Sequence, residues 1–121
     1  MEELKEEWKD IQGYEGLYKV SSCGRVKSLS RITTNGRKTK ERILKKSITS
    51  LGYCRTTLTK NNIKNTISTH RIVAQTFIPN PLNKPCVDHI NTIKTDNRVE
   101  NLRWVTHKEN TNNPLTLEKK N

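Results

Sequence analysis

Residues 87–110 read VDHINTIKTDNRVENLRWVTHKEN, and how this stretch folds locally decides the architecture of the chain. Cys86 to Ile90 has the length and apolar content of a short strand, Asn91 to Asn101 is a polar connection, and Leu102 to Val105 is a second strand-like run. On that run Leu102 and Trp104 point to one face and Arg103 and Val105 to the other. Thr106-His107-Lys108-Glu109 follows, the pattern in which a threonine caps the first free amides of a helix and a glutamate three residues later reaches back. With Thr106 as the cap, Asn110 stands about one turn into the helix and is expected to face the hairpin that carries Asp88 and His89. The order strand, loop, strand, helix is a ββα unit.

The polar residues of that unit fit one kind of chemistry better than they fit a core. Asp88 and Asn110 offer hard oxygen donors of the type Mg²⁺ prefers, and His89 accepts a proton near neutral pH. Hydrolysis of a phosphodiester needs a water, a group to take its proton, and a cation to offset charge on the phosphate and the departing oxygen. An Asp-His pair alone is explained equally well as a polar strand cap. Joined with Asn101, the capping signal and Asn110, it reads as a site. Asp96 and Glu100 are assigned to the loop, since Asp96-Asn97-Arg98 looks like turn chemistry. His107 is the rival to Asn110 for the last ligand position, and His70, beside Arg71, reads as structural or phosphate-contacting.

HRIVAQTFIPNP from His70, VDHINTIKTDNRVENLRWVT from Val87 and ENTNN from Glu109 together resemble the HNH endonucleases, particularly the homing endonucleases of phage introns and free-standing phage genes. The resemblance implies that His89 is the general base that activates water, that Asp88 is a metal ligand, and that Asn101 holds the base and its loop in place. It also implies that Asn110 completes the metal site, at a letter where many members have His and a phage subgroup has Asn. An amide oxygen there favours Mg²⁺ or Mn²⁺ over softer ions. A second resemblance lies in Glu7 to Ile11 and in GYEGLYKVSSCGRVKSL, Gly13 to Leu29. These segments are similar to a small N-terminal module found beside nuclease domains of this family, which implies a DNA-contacting strand unit.

The residues of that module agree with the resemblance. Leu17 to Val20 and Arg25 to Leu29 are strand-like and joined by Ser21-Ser22-Cys23-Gly24. Farther on, Ile43 to Thr69 is strand-rich, with Asn61-Asn62 as a turn, and either extends the module or forms a partly ordered linker. His70 to Phe77 has helical periodicity, with Thr69 as the expected cap and Pro79 and Pro81 as terminators. The expected fold is α+β: an antiparallel β module over residues 1–68, a ββα-metal nuclease unit over 69–113 and a polar tail over 114–121.

Composition sets the remaining bounds. The chain has 121 residues, of which 31% are hydrophobic, so its core is thin. A net charge of +11 points to a polyanionic partner, here double-stranded DNA. Arg25, Lys27, Arg31, Arg37, Lys38, Lys40, Arg42, Lys45 and Lys46 are interrupted by one acid, Glu41, and Arg71 adds a cation near the site. Such a run is expected to track a phosphate backbone with strong salt dependence, its plainer reading being a solvated loop. Cys23, Cys54 and Cys86 are widely spaced without a CxxC pair, so neither a disulfide framework nor a structural zinc site is expected.

No apolar run approaches a membrane span, and MEELKEEW is too acidic for a signal peptide, so the expected compartment is the cytoplasm, the host's if the gene is viral. One such site cuts one strand; whether the protein works as monomer or dimer stays open at this stage. The ten residues after Thr111 leave no room for a helix-turn-helix, so target recognition is expected to rest on the N-terminal strands and to be loose. The competing classes are a non-catalytic DNA-binding protein on the same scaffold and, more remotely, a small basic RNA-binding protein.

Overall fold

The structure is a computed structural model that describes residues 6–32, 35–45 and 47–111, the last two as backbone. Its strands are all antiparallel. β1 (Trp8–Asp10), β2 (Tyr18–Ser21) and β3 (Val26–Ser28) form a sheet, and after a two-stranded ribbon of β4 (Arg31–Ile32) and β5 (Lys38–Thr39), β6 (Arg42–Ile43) joins that sheet beside β3. β7 (Ser47–Ile48), β8 (Cys54–Lys60) and β9 (Ile63–Ser68) make a small sheet of their own, so the strand-rich middle of the chain is a further sheet element and not a linker. Helix α1 (Thr69–Phe77) leads to β10 (Cys86–His89), a 3-10 turn (Val99–Asn101), β11 (Leu102–Val105) and helix α2 (His107–Thr111). The α+β expectation is met, with the ββα unit at the C-terminal end of the described residues.

Local chemistry accounts for the turns. The β2–β3 turn closes because the Ser21 hydroxyl accepts hydrogen bonds from the amides of Cys23 (3.1 Å) and Arg25 (3.0 Å), while Gly24 takes a left-handed φ of +87°. In the β8–β9 hairpin Asn61 and Asn62 have φ of 52° and 63°, the left-handed pair that a two-residue turn between twisted strands needs and that Asn tolerates. Along β8, Cys54, Thr56 and Leu58 are buried while Arg55 and Thr57 are exposed, the alternation of a half-buried strand.

Helix α1 departs from expectation at its start. Ser68, not Thr69, occupies the cap position, and it makes no side-chain capping bond. The Thr69 hydroxyl is instead buried against the Thr56 hydroxyl at 2.8 Å, so a link to β8 has displaced the local cap. The helix ends at Ile78, which is extended because Pro79 follows it.

One apolar cluster runs through the whole assembly. Ile11, Tyr18, Val20 and Val26 come from the first sheet and its approach, Leu58 from β8, Ile72, Val73 and Ala74 from α1, and Val87 and Leu102 from the hairpin. Trp104 packs against the cluster and donates its indole N–H to the Ile78 carbonyl at 3.0 Å. Tyr18 bridges two sheets, its phenolic oxygen accepting the Thr59 amide at 3.0 Å. The segments that the sequence presents as module and nuclease unit thus share their interior. Val105, on the opposite face of β11 from Leu102 and Trp104, is buried as well.

The ββα unit has the expected form. β10 pairs with β11 in the register Cys86↔Val105, Val87↔Trp104, Asp88↔Arg103, His89↔Leu102. The strand ends at His89, one residue earlier than expected, because the Ile90 amide turns to the Asn101 carbonyl at 2.8 Å. The capping box is complete: the Thr106 hydroxyl accepts from the Glu109 amide at 3.1 Å, and a Glu109 carboxylate oxygen accepts from the Thr106 amide at 3.0 Å. Among the described residues no helix is long and apolar enough to cross a membrane.

Leu58 is fully buried at the junction of β8, α1 and the first sheet. Leu58→Ala is expected to destabilise the fold by about 3 kcal/mol, measured by urea unfolding, as one cooperative transition and not two, since the cluster is continuous.

Candidate active site

Asp88 and His89 close β10, and both are buried, at 7% and 5% exposure. They line an open cleft with Tyr53, His70, Arg71 and Lys94. A carboxylate so far from water needs a compensating charge. Arg103, its cross-strand partner on β11, supplies one: Asp88 Oδ2 accepts from Arg103 Nε at 3.0 Å and lies 2.9 Å from Nη2. Arg103 stays nearly half exposed, so this cation is held at the edge of the site and not inside it.

The orientation of His89 is fixed by a residue that the sequence reading left in the loop. Nε2 of His89 donates to Asn97 Oδ1 at 2.8 Å, and Asn97 is 3% exposed. With the ring proton on Nε2, Nδ1 carries the lone pair. Asn101 acts one step away. Its side-chain oxygen accepts from the Asn91 amide at 3.0 Å, and its NH₂ donates to Asn91 Oδ1 and to the Asp96 carbonyl, both at 2.9 Å. Asn101 therefore pins the two ends of the loop, while Asn97 holds the imidazole itself. Asp96 completes the loop by accepting from Arg98 and Asn91, and the Arg98 guanidinium holds its carboxyl far below the ordinary carboxylate range.

Asn97 is held from behind by the first sheet. A Cβ placed on Gly24 would lie 2.8 Å from the Asn97 Cβ and 2.8 Å from its carbonyl oxygen, so only glycine lets the β2–β3 turn approach this closely. The contact is tied by the Val99 amide, which donates to the Ser22 carbonyl at 2.9 Å. An Asn between an Asp and an Arg carries no sequence mark to separate this role from turn chemistry. The other clue, a glycine late in the turn 73 residues earlier, acquires meaning only when the two meet in space.

His70 is drawn into the site from the first turn of α1. Its ring centroid lies 4.8 Å from that of His89 and 5.6 Å from that of Tyr53, and it is 9% exposed. Burial, then the nearby His89 and Arg71, push its pKa down to about 4. Lys94 caps Tyr53, its ammonium 4.8 Å from the ring centre, and donates to the Leu51 carbonyl at 2.9 Å. His107 is engaged at the margin, with Nδ1 3.2 Å from Cys86 Sγ. The backbone of Asn110 lies in α2, which packs on β10 and β11, while its side chain falls outside the described atoms.

The basic residues are distributed over several elements. Arg25 pairs with Glu6 and stacks over Trp8; Lys27 lies 3.6 Å from Glu41 and 4.4 Å from the centre of the Trp8 ring. Arg31 stands 4.8 Å over Tyr18. Arg37, Lys38, Lys40, Arg42 and Lys45 are exposed, whereas Lys46 lies outside the described residues. Arg71 donates to the Pro85 carbonyl at 3.0 Å and faces Trp104.

A buried Asp-His pair at the end of a hairpin, with a pinned loop and a capped helix behind it, defines a ββα unit of nuclease type. Residues 6–59 match the NUMOD4 motif and residues 68–112 match the HNH endonuclease family. The chain thus carries a NUMOD4 motif followed by an HNH endonuclease segment. It is 40% identical over 110 residues to DNA endonuclease I-HmuI of Bacillus phage SP01, covering 91% of this chain and 58% of that protein. It is also 39% identical over 123 residues to the uncharacterized HNH endonuclease L247 of Acanthamoeba polyphaga mimivirus, covering 93% of this chain and 28% of that one. The fold is similar to the solved structure of the homing endonuclease I-HmuI, described as showing DNA binding and cleavage, with a TM-score of 0.76 at 39% identity over 95% of this chain and 61% of that one. The chain thus spans less than two thirds of the length of these relatives.

Two measurements test the construction of the site. Gly24→Ala meets both the left-handed φ and the Asn97 backbone, and is expected to destabilise by about 3 kcal/mol. Gly36→Ala, with nothing within 4 Å of the added carbon, is expected to lose only about 1 kcal/mol in the same urea titration. The second concerns His70, which titrates near 6.5 when unfolded and at about 4 when folded. Between these values only the unfolded chain binds the proton. The stability due to a neutral His70 is therefore complete above pH 6.5 and is lost as pH falls toward 4, a change of about 3 kcal/mol expected in urea titrations across that window. His70→Phe should flatten that part of the profile.

Proposed function

We propose that this chain is a divalent-metal-dependent endonuclease that hydrolyses phosphodiester bonds in double-stranded DNA and nicks one strand per active site. The observation that carries the reading is the state of His89: buried, its Nε2–H committed to Asn97, and its ring in an open cleft beside a buried carboxylate. That is the arrangement a general base requires. Nδ1 takes the proton of a water at the scissile phosphate, and the Asn97 oxygen on the opposite nitrogen stabilises the imidazolium that results. Asn101 is a positioning residue that acts through the loop. The reading is further supported by the similarity to a phage protein named as a DNA endonuclease.

The donor set fits a hard divalent cation. Asp88 is a buried carboxylate whose described partner, Arg103, approaches from the solvent side, and Asn110 belongs to a helix packed on the strand that carries Asp88. Asp88 and Asn110 would hold Mg²⁺ or Mn²⁺, which when bound offsets charge on the phosphate and the leaving 3′ oxygen. Duplex binding falls to the basic residues of the run from Arg25 to Lys46, of which Arg25, Arg37, Lys38, Lys40, Arg42 and Lys45 are exposed, and to Arg71, by neutralisation of backbone phosphates. Binding of this kind carries little sequence information by itself, so recognition by the described elements is loose.

Incubation of the purified protein with supercoiled plasmid and Mg²⁺ is expected to give nicked circles, and none with chelator. His89→Ala should lower the nicking rate about a thousandfold. Asp88→Ala should abolish activity at any Mg²⁺ concentration while leaving retardation of the plasmid intact. Retarded but uncut DNA with every divalent ion would assign the scaffold to binding alone, and an active His89→Ala protein would remove His89 from the role of base.

A further inference from the structure

We propose that His70 is a second catalytic residue of this site, whose imidazole donates a hydrogen bond to a non-bridging oxygen of the scissile phosphate. The inference rests on the reading of His89 as the base. Its own evidence is the ring's position and its bonding. His70 lines the same cleft as Asp88 and His89, and its centroid is 4.8 Å from that of His89, so a phosphate within reach of one ring is within reach of the other.

The ring is also polar where packing alone would favour an apolar group. His70 is 91% buried, and its Nδ1 has no hydrogen-bond partner among the described residues. Leaving such a nitrogen unpartnered carries a desolvation cost that a Phe or Leu on the same turn would avoid. Nδ1, buried and without a donor or acceptor to meet it, is assigned the lone pair, which puts the proton on Nε2, a nitrogen that is not among the buried unpartnered atoms. The ring cannot swing away. One flat side meets Tyr53 at an interplanar angle of 27°, and the helix that carries it is anchored by Ile72, Val73 and Ala74 in the core.

Charge decides what kind of donor this is. The groups facing the ring are His89 on β10, Tyr53 before β8 and the neighbouring Arg71, with Lys94 beyond Tyr53. With two cations and a second imidazole nearby, a protonated His70 would oppose the proton that His89 has to accept. Its pKa of about 4 keeps it uncharged near neutral pH, so it can donate a hydrogen bond without adding charge.

The test is single-turnover nicking of a duplex with saturating protein and Mg²⁺, comparing His70→Phe and His70→Gln. Phe keeps the stack on Tyr53 and loses the donor; Gln keeps a neutral donor. His70→Phe is expected to lower the rate about a hundredfold with the DNA Kd within about twofold of wild type, and His70→Gln to recover at least about tenfold of that loss. Sulfur in place of a non-bridging oxygen at the scissile phosphate should slow wild type more than His70→Phe, because the variant no longer uses that oxygen; a purely structural role would not change this ratio. A wild-type rate for His70→Phe, or a Gln variant no faster than Phe, overturns the assignment. His70→Leu replaces Phe in the same comparison if the Phe variant does not fold. An inactive His89→Ala protein beside a fully active His70→Phe protein would sink only the His70 assignment, whereas an active His89→Ala protein would sink the reading on which it rests.

Discussion

The role of base proposed for His89, an imidazole buried to 95%, requires that its two nitrogens be kept distinct, and the 2.8 Å bond from Nε2 to Asn97 makes that distinction. The acceptor must itself be immobile. Asn97 sits in a loop that folds through its own side chains, Asn91 and Asn101 exchanging hydrogen bonds across its base and Arg98 clamping Asp96. It is then backed by Gly24, with no space for even a methyl group between them. The N-terminal sheet therefore does more than carry positive charge. Through one turn it forms the rear wall of the proposed catalytic loop, and the shared core makes that wall stiff.

This construction suits a chain with little apolar material. At 31% hydrophobic residues, two independent cores of the size of these segments would each be marginal. Pooling Val20, Leu58, Val73 and Leu102 in one cluster buries what is available and places the hairpin against helix α1 in the same step. The aromatic residues extend the economy outward. Trp8 lies under Arg25 and Lys27, and Tyr18 under Arg31, so cations that would otherwise be mobile are held over ring faces.

Much of this was legible in the sequence because it depends on local patterns. The capping box at Thr106 and Glu109, the Asn61-Asn62 turn and the alternation of Cys54, Thr56 and Leu58 are short-range signals, and each folds as its pattern dictates. The placement of Asp88, His89 and Asn101 around one hairpin was legible because they lie on or beside such elements. What the sequence did not disclose depends on distance. The Thr69 hydroxyl abandons its helix for Thr56 on β8, and Asn97 becomes the partner of His89 because a glycine 73 residues earlier makes room for it. A local reading gives Asn97 a turn's role, correct as far as it goes. Nothing within the loop indicates which of its three asparagines points at His89.

The histidines bring the same distinction down to chemistry. His89 and His70 have identical titratable groups less than 5 Å apart, yet their surroundings separate them. One has an acceptor, Asn97, on its protonated nitrogen. The other has an orphaned nitrogen, two cations in its neighbourhood and a pKa pushed well down, so it gains nothing by taking a second proton. Two imidazoles sharing a cleft cannot both become charged at little expense, and a site that needs one to do so must hold the other neutral. The difference in bonding between the two rings meets that requirement before any substrate arrives, which is why the pair reads as a division of labour and not as redundancy.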